Sequence, residues 1–587
     1  MSTLIETCFP YRKVSELALR ERRFPRPYQL IHPWPGRRPG IVFRALILAS
    51  LLSRNEETKF WKLLLSRQRV NLGKGKIFMD PFMGAGTSIF EALSLGLRSI
   101  GIDINTIAWY LAKKTLEPVN INKLKNVISL IIKKLKPLVN TLYITIDPEE
   151  QRKVIAKAFF WVKTIKCEKC GKRVRLFKNY RLARKGRRIW IYCPLCKSIS
   201  LVEDKDKLVC PRCYIELKPI STKKFYVCPR CGYKGEILKS VILLGKPGME
   251  LFAVMYNTSE GMKVKIADEF DLKTYYKAVN IVNKIKDFPD LKLKFGEETK
   301  RIINYGYTNI KDLFNARQLL IIYILGKIIG HLDRDIKEFL TLTLSKTATF
   351  LSILTTYTYK GNKPESMFML HQYMHEKMYM EINPLEYIRG SFILNARRLV
   401  EAKEYTNIIL GEDIKIAYNF KKFSRGADVL LLRSSTLDLH EIPDNYVDLV
   451  ITDPPHFGNI ICSGIADFYY AIMAPILKDN YQKFIEERSC PEDNEIIYDP
   501  LRGKNEKMYG KMLIDTLREI RRVLKTSGMM ILTFRHKSEN FWDILYSSIE
   551  ESGFKIIKEW PLECEGNIQP QARNVEAKEA VIVCLPY

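Results

Sequence analysis

At 587 residues, 47% of them apolar, and with a mean hydropathy of −0.14, the chain has the make-up of a folded protein of about three units rather than a disordered or fibrous one. No run reaches the roughly 18 uninterrupted apolar residues of a spanning helix, and the N-terminus lacks a signal-peptide pattern, so a cytoplasmic protein is expected. The net charge is +30, and residues 161–240 hold 22 Lys and Arg against 6 Asp and Glu, which points to a polyanionic partner, nucleic acid first.

Taken in chain order, His32-Pro33-Trp34-Pro35-Gly36-Arg37-Arg38-Pro39 precedes an apolar helical run from Ile41 to Leu52. The segment either closes over a ligand or packs the N-terminus; the residues leave both open. Lys76–Asp80 then reads as a short buried strand entering the glycine-rich turn Asp80-Pro81-Phe82-Met83-Gly84-Ala85-Gly86-Thr87. Ser88-Ile89-Phe90-Glu91 has the form of a capping box, which predicts a helix start there and an end at Gly96. Arg98–Asp103 follows as a second strand tipped by an acid, completing a β-α-β unit of a nucleotide-binding sheet. Gly84 and Gly86 let the backbone come close to a ligand, and the helix N-terminus favours a carboxylate. Asp103 is placed to accept hydrogen bonds from ribose hydroxyls. A dinucleotide site calls for a third small residue where Ile89 stands, so S-adenosylmethionine is the favoured ligand.

The middle of the chain carries eight of the thirteen cysteines as Cys-x-x-Cys pairs: Cys167/Cys170, Cys193/Cys196, Cys210/Cys213 and Cys228/Cys231. Two such turns supply the four thiolates of a closed tetrahedral site, which is structural because it keeps no open position. Twenty-two residues separate the first two pairs and fourteen the last two. Closure between neighbours costs less loop entropy, so two tandem zinc ribbons are expected, with crossed pairing as the alternative and iron as the competing metal. The run Arg181–Trp190, with Phe177, Tyr180 and Tyr192 nearby, is suited to phosphate contact and base stacking, or is a solvated hairpin tip. Cys8, Cys462, Cys490, Cys564 and Cys584 show no ligand spacing and are expected as ordinary buried thiols.

A mostly helical stretch is expected from about Asp312 to Leu410. Beyond it, Ala427–Leu432 reads as a strand before Ser434 and Ser435, which are placed near an adenine. Val447–Thr452 is a further apolar strand, ending in Asp453-Pro454-Pro455-His456-Phe457. There a carboxylate and a carbonyl can accept the protons of an exocyclic amine while prolines stiffen the turn; His456 or Phe457 can stack on a base swung out of its helix. No Pro-Cys dipeptide is present, which argues against attack on cytosine carbon by a cysteine. Thr516–Leu524 reads as an amphipathic helix, Gly528–Phe534 as a strand, and Phe554–Ile557 with Ala580–Cys584 as a terminal hairpin.

These residues resemble the family of adenine-specific DNA methylases that contain a Zn-ribbon, known from archaea and bacteria. The likeness runs through Arg37-Arg38-Pro39, Asp80–Thr87, Gly101-Ile102-Asp103-Ile104-Asn105, the cysteine pairs after Trp161, Phe314-Asn315-Ala316-Arg317-Gln318, Glu381-Ile382-Asn383-Pro384, Thr452-Asp453-Pro454-Pro455 and Asp467-Phe468-Tyr469-Tyr470. The resemblance implies an α/β fold: a Rossmann-like methyltransferase sheet split by a large insert with tandem zinc ribbons and a helical region. It implies S-adenosylmethionine as methyl donor, two structural zinc ions, and DNA as partner with adenine N6 as acceptor. RNA is the alternative partner, and a zinc-ribbon nucleic-acid-binding protein without activity is the non-enzymatic one. Asp80, Pro81, Phe82, Gly84, Gly86, Thr87 and Asp103 map to the cofactor pocket; Asp453, Pro454, Pro455, His456 and Phe457 map to the catalytic turn. Position 456 is histidine where the family pattern usually has tyrosine. The expected organisation is residues 1–115 and 411–587 as the two parts of the methyltransferase core, 116–160 as a helical connector, 161–240 as the ribbons, and 241–410 as a mostly helical insert suited to target recognition.

Overall fold

The computed structural model describes residues 2–587 apart from 289, 456–461, 482–483, 485, 487 and 565–576. The chain forms two compact units. The first comprises Met1–Leu124, Arg398–Tyr470 and Asn480–Tyr587; the second comprises Lys125–Arg397 and Ala471–Asp479. Among the described residues no helix is long and apolar enough to cross a membrane.

The first unit is built on strands that read as short apolar runs without alternation, the pattern of a parallel sheet covered on both faces. They are β1 (Ile77–Asp80), β2 (Arg98–Ile102), β3 (Ile416–Ala417), β4 (Val429–Leu432), β5 (Val447–Thr452), β6 (Leu524–His536), β7 (Phe554–Pro561) and β8 (Lys578–Pro586). Their order across the sheet is β3-β4-β2-β1-β5-β6-β8-β7. The first six are mutually parallel, and β8 runs antiparallel to both β6 and β7. Helices α1 (Gly40–Leu51), α2 (Thr87–Ser94), α3 (Thr106–Leu116), α4 (Glu506–Val523) and α5 (Glu539–Glu551) accompany it. Leu513, Leu517 and Ile520 of α4 and Leu545 and Ile549 of α5 share one core with Met79, Ile100, Val450 and Met530 of the sheet.

From β1 the chain moves outward through β2 to β3 at the edge, comes back by β4, and then crosses to the other side of β1 with β5. This reversal creates the crevice where open α/β sheets bind ligands, outside the carboxyl ends of the strands. The strands expected from sequence overlap these elements, with Lys76, Asp103, Ala427 and Asp428 falling just outside them. Helix α4 starts ten residues earlier than its apolar pattern suggests, because Asn505 caps it by accepting from the Met508 backbone N–H at 3.0 Å.

The second unit departs further from expectation. The helix Ile121–Leu142 gives way to strands at Ile144–Ile146 and Lys153–Lys166, so the stretch 116–160 is helical only in its first part. Lys153–Lys166 is the spine of an antiparallel sheet ordered Gly261–Ile266, Gly248–Thr258, Lys153–Lys166, Met378–Ile382. The helices Ala316–Gly330, Arg334–Ala348 and Phe392–Leu410 lie in the stretch expected to be helical, but Met378–Ile382 interrupts it as a fully buried strand.

Two motifs of this unit meet in its interior. Glu381 accepts from Arg317 Nε at 2.6 Å, from Trp161 Nε1 at 2.7 Å and from Asn315 Nδ2 at 2.9 Å. The Arg317 guanidinium also lies 3.8 Å from the ring centre of Phe159 and donates to the Leu142 carbonyl at 2.7 Å. Both charged groups are fully buried, so removing one strands the other in an apolar interior. Arg317→Ala should therefore cost about 3–5 kcal/mol in chemical denaturation, and an Arg317→Met, Glu381→Leu double variant should recover part of that loss. A single variant as stable as the parent would show the pair to be dispensable.

Candidate functional site

The centre of the first unit's crevice is Asp80, the last residue of β1 and only 1% exposed. Its Oδ1 accepts from the Thr452 hydroxyl at 2.6 Å and the Phe82 backbone N–H at 3.0 Å, and its Oδ2 accepts from the Ser88 hydroxyl. Burial pushes its pKa up to about 6, against the pull of these three donors. The capping box expected at Ser88 does not form: the helix starts at Thr87 after a left-handed Gly86, and Ser88 turns to Asp80 instead. Its would-be partner Glu91 accepts from Arg26 Nη1 at 2.8 Å, Tyr28 Oη at 2.9 Å and Arg44 Nη1 at 3.3 Å. These bonds fasten the N-terminal segment to α2.

The loop between Asp80 and α2 needs its glycines for conformation and close packing. Gly84 has φ +51°, and a Cβ there would sit 2.9 Å from Trp34 Nε1. Gly86 has φ +78°, and a Cβ there would sit 2.8 Å from the Ala112 side chain. Asp103, just past β2, accepts from the Gly84 N–H at 3.0 Å and the Asn105 N–H at 2.8 Å. Burial raises its pKa to about 7, with the nearby Asp80 adding to the rise.

Asp453 lies just past β5. Its Oδ1 accepts from the Thr533 hydroxyl of β6 at 2.8 Å and lies 2.7 Å from Arg38 Nε. Arg38 is 3% exposed and also pairs with Glu579 of β8, whose other oxygen accepts from the Cys564 N–H at 3.0 Å. The Pro455 carbonyl is held by Tyr509 Oη of α4 at 3.0 Å. One pocket is lined by Trp34, Arg37 and Arg38, by Asp80–Ala85 and Thr87, by Asp103–Asn105, by Ser434–Thr436, and by Asp453–Pro455. Its three aspartates suit a cationic ligand that also carries hydroxyl donors.

Of the residues singled out in the sequence, Asp80, Pro81, Phe82, Gly84, Thr87, Asp103, Asp453, Pro454 and Pro455 therefore share this pocket. Gly86 stands behind it against Ala112. His456 and Phe457 lie outside the described residues. Sequence reasoning gave no role to Thr533 or Glu579, and placed Trp34, Arg38 and Thr452 only within motifs, without the contacts by which they join remote parts of the chain. Cys462 and Cys490, expected as ordinary buried thiols, also line the pocket, and Cys8, expected likewise, is exposed.

In the second unit the eight paired cysteines form two clusters, with each cluster's sulfurs within 4.8 Å of one another. The pairing is nested, not tandem: Cys167 and Cys170 join Cys228 and Cys231, and Cys193 and Cys196 join Cys210 and Cys213. The sulfur separations are 3.8 Å for Cys167–Cys231, 3.7 Å for Cys170–Cys228, and 3.6 Å for both Cys193–Cys213 and Cys196–Cys210. A zinc–sulfur bond of about 2.3 Å gives a tetrahedron with edges of about 3.8 Å, so both clusters fit zinc. Loop length does not favour this pairing, because nesting closes the long outer span 171–227 as well as a short inner one. Only thirteen residues (197–209) separate the second and third pairs, the shortest of the three intervals.

The aromatics expected to stack on bases are instead buried: Phe177 is 0%, Tyr180 2% and Tyr192 3% exposed. Arg181 and Arg184 are paired with Asp204, which leaves Lys185, Arg187 and Arg188 exposed around the hairpin tip.

Residues 8–67 match a family described as a protein of unknown function (DUF1156). Over 83 residues the chain is 35% identical to the type II methyltransferase M.MjaII of Methanocaldococcus jannaschii, and over 54 residues 43% identical to the type II methyltransferase M.MvaI of Kocuria varians. These stretches cover 14% and 9% of this chain and 16% and 12% of the two relatives, so the likeness is local.

The nested pairing makes a sharp expectation for thiol chemistry. In a Cys170→Ser variant, Cys228 and Cys231 should become reactive towards a maleimide while Cys193 and Cys196 stay protected, as read by peptide mass spectrometry. Labelling of Cys193 and Cys196 instead would restore the tandem arrangement.

Proposed function

We propose that the chain is an S-adenosylmethionine-dependent DNA methyltransferase that acts on an exocyclic base amine, adenine N6 first, from a Rossmann-like sheet. The observation that carries this reading is the convergence in one crevice of the Asp80–Thr87 turn, Asp103 and the Asp453–Pro455 turn. The local likeness to two type II methyltransferases supports it, and the positive charge of the insert favours nucleic acid as partner.

When bound, S-adenosylmethionine supplies the electrophilic methyl group. On this reading the loop at Gly84 and the start of α2 at Thr87 hold the amino-acid end, and Asp103 accepts from the ribose hydroxyls. Ser434 and Ser435, past β4, border the adenine. The target amine donates to Asp453, which orients the nitrogen and favours its rehybridisation as the new bond forms. Arg38 lies against the Asp453 carboxylate, and Thr533 fixes its rotation. The adjoining prolines stiffen the turn, and Tyr509 anchors the Pro455 carbonyl. Zinc ions held by the two cysteine clusters would be structural, since four thiolates leave no open coordination position.

Two measurements test this. Unmodified DNA and RNA are incubated with the protein and methyl-labelled cofactor, and their nucleosides are analysed by mass spectrometry. Labelled N6-methyladenine from DNA is expected, and Asp453→Ala should lower transfer by about 10²-fold or more while leaving cofactor affinity within a few-fold. N4-methylcytosine would move the acceptor to the other DNA amine, label in RNA alone would replace the substrate, and full activity of Asp453→Ala would remove the proposed site.

The second concerns pH. A neutral Asp103 is a poorer acceptor for ribose hydroxyls, and its raised pKa keeps it neutral up to about 7. The affinity for S-adenosylhomocysteine should therefore weaken as pH falls through about 7, by up to about tenfold per unit. The slope should disappear in Asp103→Asn, whereas a wild-type affinity flat from pH 5.5 to 8 would exclude Asp103 as the acceptor.

A further inference from the structure

The N-terminal segment, which matches a family of unknown function, brings two consecutive arginines into the pocket, and their surroundings differ sharply. Arg38 is held between the carboxylates of Asp453 and Glu579. Among the described residues Arg37 has no carboxylate partner. Its Nη1 donates to the Gln29 carbonyl at 2.7 Å, and its Nε is shielded from solvent without a hydrogen-bond partner. The ionisable groups that face it are the phenols of Tyr28 and Tyr469, both buried. Burial with no counter-ion lowers its pKa to about 10, so it remains a cation at neutral pH.

The Arg37 side chain is half-buried, with its Nε edge shielded; a guanidinium partly withdrawn from water without a counter-charge is costly, and the cost falls when an anion reaches it. A planar fork of N–H donors matches a carboxylate or a phosphate better than any other partner. Arg37 stands three residues after Trp34, whose indole lies against Gly84 of the loop after β1. The unpaired cation therefore belongs to the wall that meets the Asp80–Thr87 turn.

We propose that Arg37 is the oxyanion receptor of this pocket, and that supplying it is a role of the segment 8–67. The inference rests on the methyltransferase reading for the identity of the anion: the carboxylate of the cofactor's amino-acid end, or a phosphate of the nucleic acid entering beside it. Arg38 holds the acid that receives the target amine, and Arg37 holds the anion of what is bound.

The test compares wild type, Arg37→Ala and Arg37→Lys by calorimetric titration. The probes are S-adenosylhomocysteine, 5′-methylthioadenosine (which lacks the amino-acid end) and a short DNA duplex at two salt concentrations. If the receptor takes the carboxylate, Arg37→Ala should weaken S-adenosylhomocysteine binding about 10- to 100-fold, leave 5′-methylthioadenosine unchanged, and be partly rescued by Arg37→Lys. If it takes a phosphate, S-adenosylhomocysteine binding is unchanged, while DNA binding weakens and its salt slope falls by about one. Wild-type affinity for all three probes, with an unchanged thermal midpoint, would overturn the proposal. Should Arg37→Ala lower the midpoint, Arg37→Gln, which keeps a donor for Gln29 but loses the charge, takes its place. If wild type binds neither adenosyl ligand, the methyltransferase reading fails, and the receptor is then read with inorganic phosphate. Binding to wild type that is lost in Arg37→Ala would uphold it, and equal or no binding would overturn it.

Discussion

The hydrogen bond from Thr452 to Asp80 spans 372 residues of sequence and joins the two halves of one sheet at the crevice outside the strands' carboxyl ends. A parallel pair of strands with so long a connection gains nothing from local folding, since the closing loop must be ordered before the ladder forms. The register of β1 against β5, with Phe78 opposite Leu449 and Met79 opposite Val450, is what brings Asp80 beside Thr452 and then Asp453 into the crevice. Asp80 is fixed by donors from three places at once: the loop it starts, the helix after that loop, and the strand beside it. A slip of one residue would turn Asp80 and Asp453 to opposite faces and dismantle the pocket.

The price of this arrangement is a set of carboxylates in a poorly hydrated place. Asp80 and Asp103 respond by holding protons more tightly than free aspartate does. Asp453 has a different solution, because Arg38 reaches it from the N-terminal segment and is itself balanced by Glu579. On the reading proposed above, this division is functional. The carboxylate that must accept an amine proton is the one with a guanidinium beside it, and those that border the cofactor relax when a cationic ligand arrives.

What could be read from the sequence was what chemistry keeps local. The strand-to-turn passages at Asp80–Thr87 and Val447–Pro455 stand out because a buried strand, its terminal acid and its turn residues are contiguous. The ligand chemistry of the cysteines was equally plain, but their pairing was misjudged. The turns that end in glycine, at Gly171 and Gly232, belong to one cluster, while left-handed Lys197 and Tyr214 follow the turns of the other. The capping box at Ser88 failed because Asp80, eight residues upstream, is a stronger acceptor in a buried place. The sheet of the second unit was illegible because Lys153–Lys166 finds its partners at 248–258 and 378–382, and an apolar run alone does not distinguish a buried strand from a helix. Arg38 stood in a motif of the resemblance, but its partners were not legible, since they lie more than four hundred residues away. The motifs at Asn315–Gln318 and Glu381 carried a signal of another kind: they meet in a buried ion pair that holds a fold together.

The long insertion leaves and rejoins the first unit through a clamp. The fully buried Lys403 donates to the carbonyls of Lys114 and Thr115, each at 3.1 Å, and of Glu117 at 2.6 Å, so that its ammonium caps the C-terminal end of α3. Four residues on, Asn407 donates to the Val119 carbonyl at 2.9 Å. The outgoing chain at 114–119 and the returning chain at 403–407 are thereby tied together inside the first unit. To that unit the insertion is a loop already closed at its base. Loop-closure entropy grows only slowly with length, so a base of this kind tolerates a large folded insert as readily as a short one. The clamp explains how a parallel sheet can be interrupted between β2 and β4 while the register that positions Asp80, Asp103 and Asp453 is preserved.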